Sequence, residues 1–274
     1  MPAKPPLLLL HGICNNSNLF SIPHGLGVHL ARHFDLFPYN YPISRHQQEA
    51  WDFDFHVQKD MPLIWKSACR EAGCKPFVFG YSMGGMLAMV AQATGRIDAP
   101  AIITAASPFK FYDLPLYPPL MRSFVKFSSI TGYRTVPIKI TGRILCSLLA
   151  VTNPIEKKYD TNLFRFLIKN TTVNVPIETF LQVLMWIKKR KLTNRDGKID
   201  YLDQFKNIKT PACMIYGTND RISPEKLVKP GYDALGSKRK LMAAISDGTH
   251  MNMTTGSKAG EIAEITASWC LPPE

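Results

Sequence analysis

The sequence predicts an α/β chain in which a mainly parallel sheet is flanked by helices and interrupted by a helical insertion. Three observations carry this reading. Short apolar runs recur along the chain, at residues 7–10, 77–79, 101–105, 211–216 and 241–245. Most of them are separated by stretches with the apolar spacing of helices, and strands alternating with helices imply parallel pairing through right-handed crossovers. The alternation then stops from Ser107 to about Phe205, which leaves residues 108–205 with no sheet to join. The expected organisation is a first core segment at 1–107, a helical cap at 108–205 and a second core segment at 206–274.

Taken in order, Leu7 to Leu10 form a fully buried strand that runs into His11-Gly12-Ile13-Cys14. Helical spacing follows through Leu26, Val28, Leu30 and Ala31, then a strand over 34–41 whose end Pro38 should make irregular, because proline cannot serve a central ladder. A polar loop around His46 leads to Trp51-Asp52-Phe53-Asp54, and a helix is expected to begin near Asp60-Met61-Pro62, with proline in its first turn. After the strand ending at Phe79 comes a helix to about Thr94, then the strand 101–105. Within the insertion, Pro176 opens a helix whose Ile177, Phe180, Leu181, Leu184 and Ile187 share one face. The pattern resumes with a strand at 211–216, a helix at 226–235, a strand at 241–245 and a last helix at 260–270.

The chain is organised around Gly80-Tyr81-Ser82-Met83-Gly84, which fits the G-x-S-x-G pattern. Five letters of this kind arise by chance in roughly one chain in ten at average glycine usage. The apolar strand before them and the helix after them supply the context that gives the pattern meaning: a sharp turn that lifts a serine hydroxyl clear of the sheet. The alternative is an ordinary turn serine.

An activated serine needs a base within hydrogen-bond reach and a third group to orient that base. Asp220, in Gly217-Thr218-Asn219-Asp220, and His250, in Ser246-Asp247-Gly248-Thr249-His250, both follow predicted strands. They therefore fall at the C-terminal edge, where open α/β sheets build their sites. Asp247 is the rival acid, and His46 and His56 are rival bases that leave no strand end. His11 is read as a structural histidine of the loop it begins. The backbone N–H groups of Met83, at a helix N-terminus, and of Ile13, beside Gly12, are the candidates to meet a developing oxyanion.

The chain has 274 residues, of which 46% are hydrophobic and 20% charged, and a net charge of +12. Those values suit a globular protein and exclude a low-complexity or solenoid chain. Basic runs at 188–191 and 238–240, with Arg195 and Lys198, read either as a solvated face or as a weak contact with an anionic membrane surface. No nucleic-acid module accompanies them. Six cysteines are scattered without CxxC or zinc spacing, so no metal and no cofactor are expected. The four leucines near the N-terminus are too few for a signal h-region or a membrane span, and the expectation is a reduced, cytoplasmic chain.

His11-Gly12, Gly80-Tyr81-Ser82-Met83-Gly84, Asp220 and His250 together resemble the α/β-hydrolase superfamily, over nearly the whole chain outside the cap. The segment from Trp51 to Asp54 with Asp60-Met61-Pro62, and more loosely Gly197 to Tyr201, resembles acid-lipase-like members and bacterial relatives. Against that pattern, the family's first two antiparallel strands are expected to be absent, and no leader of the kind secreted lipases carry is expected. Serine at position 82 weighs against the cysteine-dependent polyhydroxyalkanoate synthases and excludes the aspartate-nucleophile dehalogenases and epoxide hydrolases.

The resemblance implies a serine hydrolase acting on a small-molecule ester of an apolar acyl chain, with Ser82 as nucleophile, His250 as base and Asp220 as its orienting acid. An acyltransferase or thioesterase would use the same residues. A non-catalytic binding module or basic peripheral membrane protein on the same scaffold is the reading from a different class. The leucine- and aromatic-rich start of the cap, including Leu116 and Leu120, is expected to line an acyl pocket.

Overall fold

Six strands form one parallel sheet in the computed structural model, which describes residues 4–41, 51–111, 123, 126, 130, 135–136 and 169–271. These are β1 (Pro6–Leu10), β2 (Asp35–Tyr39), β3 (Phe77–Tyr81), β4 (Ile102–Ala105), β7 (Ala212–Gly217) and β8 (Lys240–Ile245). A separate antiparallel pair joins the two-residue strands β5 (Thr135–Val136) and β6 (Val175–Pro176). The order in the large sheet is β2-β1-β3-β4-β7-β8. The chain steps outward from β1 to β2, then returns to place β3 on the other side of β1. That reversal opens a crevice beyond the C-terminal ends of β1 and β3, the place where such sheets seat their chemistry.

The strands end nearly level, with Leu10 opposite Gly80, Tyr81 opposite Ala105, and Gly217 opposite Ile245. Loops leaving that edge are thereby brought side by side. Successive residues of a strand face opposite sides, and β1 follows the rule: Leu8 and Leu10 join one core layer, Leu7 and Leu9 the other. The first layer packs under α3 (Met61–Ala72), α4 (Met83–Ala93) and α6 (Glu225–Ala234); the second packs under α1 (Leu26–Leu30) and α7 (Ala259–Cys270). With both faces covered, these strands can be apolar throughout. Each fully buried leucine contributes about 1.5–3 kcal/mol.

Three elements differ from the sequence reading. Pro38 sits within β2, opposite Leu9, and the pairing continues past it to Tyr39 without the irregularity expected there. β2 is an edge strand of the described sheet, where a missing N–H can face outward at no cost to a ladder. The helix expected near Asp60 starts there as α3, with Pro62 in its first turn, but it is preceded without a break by a short helix, α2 (Phe53–Phe55), capped by Asp52, whose carboxylate accepts the N–H of Phe55 at 2.8 Å. α2 runs on through a π turn (His56–Asp60) into α3, the Met61 N–H reaching back to the His56 carbonyl. The widened turn falls just where Pro62 brings no N–H to the helix.

The third difference concerns α5 (Ile177–Lys189), whose buried residues are Thr179, Phe180, Gln182, Trp186 and Ile187, while Leu181 is 46% exposed. Polar bonds rotate the helix away from its apolar stripe. Gln182 accepts the N–H of Phe53 and donates to Asp54, Thr179 donates to the Trp51 carbonyl, and Trp186 donates to that of Thr193. The Trp186 ring also meets Phe53 edge-on, with centroids 5.0 Å apart. Leu116 and Leu120 lie outside the described residues.

Candidate active site

The turn after β3 holds Ser82 at φ 53°, ψ −120°, a left-handed region that a non-glycine residue adopts only when its surroundings force it. Here the force is close packing. A Cβ on Gly84 would lie 2.2 Å from the Leu10 carbonyl oxygen, and one on Gly80 would lie 2.4 Å from the backbone of Gly85. Only glycine lets strand and helix meet at that distance, and their meeting fixes Ser82 on a sharp corner. The serine N–H is held by the Ala105 carbonyl at 2.9 Å, which ties the corner to β4.

Two further loops converge on the serine. His250 Nε2 lies 3.2 Å from Ser82 Oγ, and His250 Nδ1 lies 2.8 Å from Asp220 Oδ2. Asp220 is 2% exposed, and its other oxygen accepts the N–H groups of Ile222 and Ser223 at 2.8 and 2.9 Å. An ionised carboxylate can only accept, so the hydrogen sits on Nδ1 and Nε2 is left to accept from the serine hydroxyl. The two loops brace one another: the Asn219 N–H donates to the Gly248 carbonyl at 2.9 Å, and a Cβ on Gly217 would lie 2.3 Å from that same oxygen. Asp247, the rival acid, accepts from Asn219 at 3.0 Å. His56, the rival base, bonds Asp60 at 2.6 Å within its own helix. His46 lies outside the described residues.

The turn after β1 approaches from the other side. A Cβ on Gly12 would lie 3.1 Å from that of Ser82 and 3.2 Å from the Tyr81 ring, so a larger residue here would press on the serine corner. Ile13 follows, then Cys14 at φ 65°. Among the described residues no acceptor is bonded to the N–H of Ile13 or to that of Met83, the first residue of α4. His11 is buried, with Nδ1 2.9 Å from the Gly12 carbonyl oxygen and its ring 4.4 Å from that of Tyr41. Burial pushes it down to about 4, so it is neutral at ordinary pH. The Tyr41 hydroxyl donates to the His11 carbonyl at 3.1 Å and steadies the turn from below.

The structure thus brings Ser82, His250 and Asp220 into one line of contacts and sets Ile13 and Met83 on turns flanking the serine. It gives the carboxylates of the 51–54 segment a packing role. Asp52 caps α2, and Asp54 accepts from Gln182, Tyr201 and the Arg195 N–H. Tyr81 fills a variable place in the motif, which assigns it no role, yet its hydroxyl reaches the His250 carbonyl. A bulky hydroxyl-bearing residue next to the nucleophile was the available signal.

The basic runs are partly engaged within the fold: Arg239 lies 4.6 Å over the Trp269 ring and Lys240 4.6 Å over that of Tyr232. Among the described residues no group of three or more His, Cys, Asp or Glu is disposed to hold a metal ion, and no helix is long and apolar enough to cross a membrane.

Comparison with known proteins agrees on the fold. A hydrolase family model, described as serine aminopeptidase, S33, matches residues 44–254. The monoacylglycerol lipase of Paleococcus ferrophilus superposes with a TM-score of 0.63 at 15% identity, covering 97% of this chain and 95% of that one. A thermophilic esterase from Thermogutta terrifontis gives 0.68 at 14% identity, covering 97% and 89%. MenH from S. aureus gives 0.71 at 14% identity, covering 98% and 94%. At such identities the likeness is one of fold. No curated protein sequence matches the chain.

Proposed function

Because the chain belongs to the serine aminopeptidase S33 family of α/β-hydrolases, we propose that it is a serine hydrolase cleaving carboxylic esters of apolar acyl chains. The observation that carries this reading is the line from Asp220 through His250 to Ser82, beside the two N–H groups of Ile13 and Met83. Ser82 Oγ attacks the ester carbonyl while its proton passes to His250 Nε2. The carbonyl oxygen becomes an anion between the Ile13 and Met83 N–H groups, which are preorganised for it. The intermediate collapses with the leaving alkoxide taking the proton from His250, which leaves Ser82 acylated. Water then attacks with His250 again as base, and the carboxylic acid departs. Asp220 keeps Nδ1 protonated throughout and stabilises the imidazolium that forms in each half.

Apolar acyl chains are favoured by the small cluster at the first turn, where Val175 and Phe180 pack with Ile13 and Cys14. In this account residues 1–107 and 206–274 make the catalytic core, and 108–205 form a cap that chooses the acyl chain. The partner is a small molecule. The cysteines at 69, 74, 213 and 270 form no disulfide among the described residues, which suits a cytoplasmic, reducing location.

A second reading, release of an N-terminal residue from a peptide, comes from the family's description. Turnover of p-nitrophenyl esters from acetate to decanoate, beside amino-acid p-nitroanilides, separates the two. Ester turnover that improves with chain length and no anilide turnover supports the proposal. Anilide turnover exceeding that of every ester overturns it.

A further inference from the structure

The turn that carries Ile13 is bound to the insertion by a short strap. The Asn16 N–H donates to the Thr171 carbonyl at 2.8 Å, and the Val173 N–H donates to the Cys14 carbonyl at 2.9 Å. Asn15 and Thr172 form an antiparallel bridge between those bonds. Asn16 Nδ2 donates to the Asn170 carbonyl at 3.2 Å, and Asn18 Nδ2 donates to the same oxygen at 3.1 Å. Residues 169–171 are helical, so the carbonyls of Asn170 and Thr171 belong to a helix end, where intrahelical donors run out. The turn after β1 supplies those donors.

Asn16 works in both directions. Its Oδ1 accepts the Asn18 N–H at 3.0 Å and caps the 3₁₀ turn (Ser17–Ser21), while its Nδ2 reaches the strap. A primary amide carries its acceptor and its donors on separate atoms, so one side chain can serve both contacts at once. The segment it secures is under strain: Cys14 stands at φ 65°, and the Asn15 N–H closes the turn onto the Gly12 carbonyl at 3.3 Å. A residue in that conformation persists only where its surroundings over-determine it. The strap does so from outside, and Val175 and Phe180 pack against Ile13 and Cys14 behind it.

We propose that Asn16 is a positioning residue of the oxyanion hole: by joining the Ile13 turn to residues 170–173, it lets the insertion set the aim of the Ile13 N–H. This rests on the serine-hydrolase reading above. The hydrogen bonds of Asn16 run to Asn18, Leu19, Asn170 and Thr171, so it acts through the turn and not on the reacting atoms. A donor misplaced by about an ångström stabilises the transition state far less, and this loss falls on kcat more than on ground-state binding.

Asn16→Asp is the discriminating variant. It keeps the oxygen that caps the 3₁₀ turn, removes the donor, and sets a carboxylate against the Asn170 carbonyl. The readouts are kcat and KM for p-nitrophenyl acetate, and the affinity for an aryl trifluoromethyl ketone, which binds a serine as an oxyanionic hemiketal. The expected result is a kcat lower by about tenfold, KM within about threefold, and ketone affinity weakened in proportion to kcat. Asn18→Ala keeps the backbone contact to Asn16 and loses one strap bond. It should lower kcat by about two- to threefold, and it decides the matter if Asn16→Asp does not fold. Unchanged kcat and ketone affinity in folded variants, or a change in KM alone, would overturn the inference while leaving the serine reading intact. Wild-type protein that binds no ketone, with turnover retained in Ser82→Ala, would overturn both.

Discussion

Tyr81, the residue directly before Ser82, donates its hydroxyl to the backbone carbonyl of His250 at 2.6 Å, with the two rings 5.2 Å apart. The strand that leads into the serine therefore also holds the loop that carries its base. Tyr81→Phe keeps the ring and removes the bond. We expect kcat for a short ester to fall by about fivefold with KM nearly unchanged, and stability to drop by about 1 kcal/mol. Steady-state kinetics and urea unfolding check both. An unchanged kcat would mean the His250 loop needs no help from this side.

Asp220→Asn tests the tautomer argument. Both the Ile222 and Ser223 N–H groups point at Oδ1, so the amide oxygen must stay there and its NH₂ must face His250. The amide then donates to Nδ1, moves the ring hydrogen to Nε2, and leaves nothing to accept from Ser82. The expected outcome is a kcat loss on the order of 10³–10⁴-fold with KM little altered. Turnover within tenfold of wild type would show that Asp220 does not set the tautomer.

His11 gives the protein a dependence on pH that is separate from catalysis. Burial holds it down to about 4 against an ordinary value of 6.5, helped by the neighbouring His56 and opposed by its bond to the Gly12 carbonyl. A group depressed on folding contributes stability that is complete above the unfolded value and is lost as pH falls toward the folded one. Between pH 6.5 and about 4 the protein should therefore lose about 3 kcal/mol through this residue alone. Urea unfolding at pH 7.5, 6 and 5 measures the slope, and His11→Asn should flatten it. Equal slopes for the two proteins would count against a neutral His11.

What could be read from the sequence were the features written locally. A glycine-flanked serine after an apolar strand, and an acid and a histidine after two later strands, need only the rule that strand ends share an edge. The level strand ends, Leu10 with Gly80 and Gly217 with Ile245, turn that rule into proximity. Features set by tertiary bonds were not legible. The face that α5 buries is chosen by Gln182, Thr179 and Trp186 finding partners at residues 51–54 and 193, so counting apolar positions selected Leu181, which is exposed. Pro62 does stand in the first turn of α3, but nothing local announced the π turn that joins α3 to α2 ahead of it. The strap on Cys14 and Asn16 pairs residues far apart in the chain, and nothing in either segment announces the other.

The central claim is that Ser82 is the nucleophile of an ester hydrolase, and active-site labelling tests it most directly. Wild-type protein and Ser82→Ala would be treated with a fluorophosphonate, digested and mapped by mass spectrometry, with p-nitrophenyl butyrate turnover measured in parallel. The account predicts one phosphonylated site, at Ser82, with labelling and turnover both abolished in the folded alanine variant. Labelling at another serine, or turnover retained by Ser82→Ala, would contradict it.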